Sequence, residues 1–178
     1  LRKTNIRIIS IQNTSNEFNA RFSATKRSYV YKFLCRSAPP SILNDQVWHI
    51  QKKINIDSMK LAANHLLGNH DFSSFRSSSC QASSPVKTIN KFQFDFSNDV
   101  LEMRVEAKSF LHNQVRIIAG SLIKVGTGIW DGNKIKEILK LRSRNEAGET
   151  APPEGLYLEK VTYPKNILNS KWPTYIND

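Results

Sequence analysis

Apolar residues recur at Val115, Ile118, Ala119 and Leu122, the i, i+3, i+4, i+7 spacing of one buried helix face. Gly126 and Gly128 supply the flexible stop that a helix C-terminus prefers, so Ser109–Gly128 is the stretch around which the chain is organised. A second helix is predicted over Ser58–Leu67, with Asp57 as N-cap, an inner face of Met59, Ala62, Ala63 and Leu66, and Gly68 as stop. A third, Lys134–Leu141, is capped by Asn133 and turns Ile135, Ile138 and Leu139 inward.

Period-two alternation marks the strands. Asn5–Ile11 alternates weakly. Arg27–Cys35 puts Tyr29, Tyr31, Phe33 and Cys35 on one face, with Val30, Lys32 and Leu34 on the other. Lys91–Ala107 is the cleanest hairpin: Phe92, Phe94 and Phe96 alternate with Lys91, Gln93 and Asp95, Ser97-Asn98-Asp99 turns, and Leu101, Met103 and Val105 alternate back. Gly155–Tyr163 is a last strand. Between the elements, Asn69–Thr88 is serine-rich, and Phe72 and Phe75 predict that its first part packs onto the core. Arg142–Pro153 reads as a polar loop. The order predicts an α+β fold, a mixed or antiparallel sheet with helices laid on one face. Residues 1–164 form that unit and 165–178 a polar tail. No repeat of solenoid period is present.

Arg116 breaks the helix pattern. It sits one step off the apolar stripe and shares a flank with Ala119, Gly120 and Ile123. Either it snorkels to the surface along its own methylenes, or it stays partly desolvated and needs an anionic partner for its planar fork.

Composition narrows the function. The chain has 178 residues, 26 Lys and Arg against 15 Asp and Glu, and a net charge of +11. The surplus is concentrated: residues 1–36 carry eight basic groups against one acid, Glu17. Clustering of this kind is the footprint of a polyanion, and nucleic acid is the expected partner. The alternating aromatics beside it could stack bases or simply face the core. Two cysteines make no disulfide framework or zinc site, and His65 and His70 are separated by Gly68. No apolar run is long enough to span a membrane and no signal peptide is recognisable, so the expected compartment is a reducing cytoplasm. There is no phosphate-binding glycine loop and no Ser-His-Asp arrangement. The residues alone reach a basic α+β domain that meets RNA.

Four blocks add a resemblance. F-N-A-R-F-S-A-T-K-R-S-Y-V-Y (Phe18–Tyr31), G-N-H-D-F-S-S-F-R (Gly68–Arg76), F-L-H-N-Q-V-R-I-I-A-G-S-L-I-K-V-G (Phe110–Gly126) and A-P-P-E-G-L-Y-L (Ala151–Leu158) follow in order. Together they resemble the tRNA pseudouridine synthase A (TruA) family, over residues 1 to about 164. The resemblance implies isomerisation of uridine to pseudouridine at positions thirty-eight, thirty-nine and forty of the tRNA anticodon stem-loop, with no cofactor and no metal. It implies an aspartate nucleophile oriented by Arg116. Tyr29 would stack on the target base and serve in proton transfer, and Leu156 would pack against the base from below. Arg21, Arg27 and Arg76 are expected to contact the substrate. The working form would be a homodimer that jointly holds the tRNA.

The sequence departs from the family at one decisive place. The family's aspartate lies in a G-R-T-D-A-G-V-H block, and nothing like it occurs among these residues. Asp71 lies inside a matching block but is not the residue the family uses. The chain therefore resembles the C-terminal portion of such an enzyme and is expected to be inactive alone. The competing expectations are a noncatalytic RNA-binding remnant and, more weakly, a purely structural basic domain. Asn19 for the usual histidine and Gln114 for the usual methionine are lesser departures.

Overall fold

The computed structural model describes residues 6–9, 11 and 13–164. Lys26–Val161 form one compact unit. A smaller one draws on the described residues of Leu1–Thr25 and Thr162–Asp178.

The larger unit is built on β1 (Lys26–Cys35), β2 (Trp48–Ile50), β3 (Gly68–Asp71), β4 (Val86–Ser97), β5 (Val100–Ala107) and β6 (Leu156–Thr162). They make one sheet in the order β2-β1-β5-β4-β3, with β6 also paired to β1. β2 runs parallel to β1, whereas β5, β4 and β3 continue antiparallel, so the sheet is mixed. The hairpin turn falls on Asn98 and Asp99, both at positive φ (51° and 63°). A two-residue turn matched to strand twist needs that conformation, and Asn and Asp tolerate it best after glycine.

Alternation along β1 sends Tyr31 and Phe33 to one face, where their cross-strand partners on β5 are Met103 and Leu101. All four are fully buried. Over them lie α1 (Ile56–Asn64), α2 (Gln114–Gly126) and α3 (Asn133–Leu141). Met59, Ala62, Ala63, Ile117, Ile118, Leu122, Ile135 and Ile138 join the same core. Each large side chain removed from water there contributes about 1.5–3 kcal/mol. The expected α+β plan holds.

Three local expectations are corrected. The cap of α1 is Asn55, whose Oδ1 accepts the Ser58 N–H at 3.0 Å, so the helix starts before Asp57. In α3, Asn133 is already helical and Asp131 Oδ1 accepts its N–H at 2.7 Å. Residues 6–9 and 11 form no strand, and Ile6, Ile8, Ile9 and Ile11 are all exposed, so neither side of that weak alternation is covered. The polar tail, 165–178, lies outside the described residues.

The serine-rich stretch behaves as its phenylalanines require. Phe72 and Phe75 are fully buried around a short 3-10 turn, Ser73–Phe75, and Ser74 Oγ donates to Ile138 O at 2.6 Å.

The opposite sheet face buries Val30 and Leu34 on β1 but is otherwise rich in ion pairs. Arg104 pairs with Asp95, Glu102 and Glu159, Lys32 with Glu102 and Lys26 with Glu106. Burial works to raise Glu102, but Lys32 and Arg104 outweigh it and hold its carboxyl below the usual glutamate value of 4.5. The Lys26 hydrogen bond does the same for Glu106 against the opposing effect of burial. Depressed folded values mean stability that is complete above the unfolded value and lost as pH falls through the folded one. Melting temperature is therefore expected to fall steadily once pH drops below about 4.5. Glu102→Gln should make that decline shallower, and an unchanged acid slope would count against these pairs.

In the smaller unit, Thr25 N–H donates to Thr162 O at 2.8 Å. Phe18 sits edge-on to Tyr163 at 5.1 Å, and Tyr163 donates its hydroxyl to Ala20 O at 3.0 Å.

Candidate active site

The site is set by how the chain enters α2. Asn113 adopts the left-handed conformation (φ 60°, ψ 8°), which asparagine tolerates better than most residues. Gln114, fully inside the protein, closes the turn by accepting the Leu111 N–H on Oε1 at 2.8 Å. Its Nε2 has no partner among the described residues, a cost of about 1–3 kcal/mol.

Within α2 only Arg116 and Lys124 are not buried. The helix is thus enclosed on all sides rather than along one face, because residues 147–151 pass directly over it. Gly120 and Gly148 allow that passage: a Cβ on Gly120 would lie 2.0 Å from Glu149 O, and one on Gly148 would lie 2.6 Å from Ser121 N. Ser121 Oγ accepts the Gly148 N–H at 2.9 Å.

Arg116 is half-buried and held at two points. Nε–H donates to Ala151 O at 2.6 Å, and one terminal nitrogen donates to Asn113 Oδ1 at 3.3 Å. Ala151 N–H returns a bond to the Arg116 carbonyl at 3.2 Å. Among the described residues no carboxylate lies within 4.0 Å of the guanidinium. A side chain tethered in this way is not a surface arginine that merely snorkels.

Three other expected residues gather on the segment Lys108–Asn113 that leads into α2. Tyr29 is half-buried and meets the Phe110 ring edge-on, with centroids 5.3 Å apart. Arg27 donates from its guanidinium to Lys108 O at 2.5 Å. Arg76 follows the 3-10 turn, and the next residue, Ser77, donates its N–H to His112 O at 3.0 Å. The positive field there is visible at Cys80. Burial works to raise its thiol, but N–H groups of Ala82 and His112, with Arg76 and Lys87, bring it below the usual cysteine value.

Leu156 opens β6 on the same side of the sheet and packs, half-buried, against the core. Arg21 belongs to the smaller unit, exposed, with its guanidinium 5.5 Å from the Phe22 ring centre.

Sequence reasoning missed Asn113 and the Ala151 carbonyl. The first had a signal, an asparagine at a helix entrance. Backbone acceptors in a polar loop had none. No group of three or more potential metal ligands occurs among the described residues.

Comparison with known proteins adds the family. Residues 62–164 match the family model described as tRNA pseudouridine synthase. Proteins named tRNA pseudouridine synthase A from Brucella ovis, Brucella canis and Brucella melitensis are each 46% identical over 158 residues, covering 89% of this chain. The aligned stretch spans 63% of those relatives' length. With more than half of its residues matched, the chain belongs to the tRNA pseudouridine synthase family.

Proposed function

We propose that this chain is the larger part of an enzyme that converts uridine to pseudouridine at positions thirty-eight, thirty-nine and forty of the tRNA anticodon stem-loop. The observation that carries the reading is the tethering of Arg116, half-buried at the start of α2, with its guanidinium anchored to Ala151 O and Asn113 Oδ1. Both anchors fix the fork before any acid arrives, the preorganisation a charge-orienting group requires.

In this reading Arg116 holds the aspartate of the family's G-R-T-D block, a block these 178 residues do not contain. Tyr29, steadied by Phe110, stacks on the target base and assists proton transfer at carbon five. Leu156 supports the base from the other side. Arg21, Arg27 and Arg76 contact the phosphates, and the target nucleotide is drawn out of the stacked stem at a cost of a few kcal/mol. The aspartate attacks the sugar carbon that bears the base and forms a bond to it as the bond from the ring nitrogen breaks. The freed uracil turns, its carbon five displaces the aspartate from that sugar carbon, and carbon five then loses its proton while the ring nitrogen takes one up. The reaction is an isomerisation, so no cofactor is required. The complete enzyme is a cytoplasmic homodimer.

Tritium release from tRNA labelled at uracil carbon five tests this. The 178-residue chain alone is expected to release none. Supplying the N-terminal segment of the Brucella ovis relative should restore turnover. Robust release by the chain alone would overturn the role given to the missing aspartate. Affinity for tRNA should fall steeply with salt. Binding without turnover, even with that segment supplied, would favour a noncatalytic RNA-binding domain.

A further inference from the structure

Tyr31 has no solvent exposure, yet its hydroxyl is satisfied: it donates to Pro152 O at 2.7 Å. Burial, only partly offset by the nearby Arg116 charge, keeps the phenol protonated well above the ordinary tyrosine range, so it remains a donor. The residue it holds directly follows Ala151, whose carbonyl and N–H make the two backbone bonds to Arg116. Its ring meets the other end of the same segment. A Cβ on Gly155 would lie 2.8 Å from Tyr31 Cζ and 2.8 Å from Lys32 O, so Gly155 rests directly on β1 and on the ring. Leu156 is the next residue.

We infer that Tyr31 is a positioning residue: its hydroxyl fixes the Ala151–Pro152 carbonyls that aim Arg116, and its ring seats Gly155 ahead of Leu156. The geometry argues for this over simple packing. A phenylalanine would fill the same space, whereas only a donor satisfies the Pro152 carbonyl that Tyr31 now holds. Its importance for turnover rests on the function proposed above for Arg116. The mechanical link does not.

The link is readable without catalysis. In the 178-residue chain labelled with 15N-arginine, the Arg116 Nε–H signal is identified by its loss in Arg116→Lys. It should exchange with water at least about tenfold more slowly than exposed arginines, as a short bond to a carbonyl requires. Tyr31→Phe is expected to raise that exchange about tenfold while near-UV circular dichroism stays native. 4-Aminophenylalanine placed at Tyr31 keeps a donor and should retain slow exchange. 4-Methylphenylalanine fills the space without one and should not, which serves if the phenylalanine variant fails to fold. Unchanged exchange in a folded donor-less variant overturns the inference. A complete protein that never forms pseudouridine would instead refute the proposed function and leave this result standing.

Discussion

Arg116→Lys in the complete protein is expected to lower turnover by about 10²–10³-fold while shifting the melting temperature by no more than a few degrees. The reason is geometric. Arg116 already spends Nε–H on Ala151 O and one terminal nitrogen on Asn113 Oδ1, and its planar fork has further N–H groups for the aspartate proposed above. An ammonium is a point charge on a flexible stem and cannot serve two anchors and a carboxylate in one plane. The stability change should be small because Arg116 is only half-buried and the apolar packing of α2 is untouched. Single-turnover tritium release, with melting measured on the same sample, separates the two effects. Near-normal turnover would remove Arg116 from the chemistry.

Gly120→Ala should destabilise the fold by at least about 3 kcal/mol. Helix propensity alone argues the other way, since alanine is favoured over glycine by about 1 kcal/mol inside a helix. Contact decides the sign. The added carbon would lie 2.0 Å from Glu149 O and 3.0 Å from its carbonyl carbon, and a backbone cannot swing aside as a side-chain tip can. Gly132→Ala is the matched control, because its new carbon meets only Ala62 Cβ at 3.9 Å. It should change stability by no more than about 0.5 kcal/mol. Urea titration of both variants tests the pair, and a Gly120→Ala protein of unaltered midpoint would mean that α2 and residues 147–151 are not in backbone contact.

β5 was legible because its burial alternates strictly. β1 shows the expected alternation although Val30 and Leu34 are buried on its second face as well, whereas Phe96 at the hairpin end stays exposed. Of the expected turn Ser97-Asn98-Asp99 only the last two residues leave the strands. Helix starts were less legible. Asn55 and Asp57 are both competent caps, and the choice between them depends on what Ile56 packs against, which local spacing does not encode. The weak alternation before Ile11 carried no information about a partner, and those isoleucines stay exposed. At the site, Arg116 stood out because a charge interrupts an apolar flank. What anchors it did not, since Ala151 lies 35 positions away in a stretch without periodicity and acts through its backbone.

The enclosure of α2 also marks where the fold yields least. A rod clamped backbone-to-backbone on one side and packed into the core on the other has no room to tilt or slide. Its amides should be among the last in the protein to trade their hydrogens for deuterium.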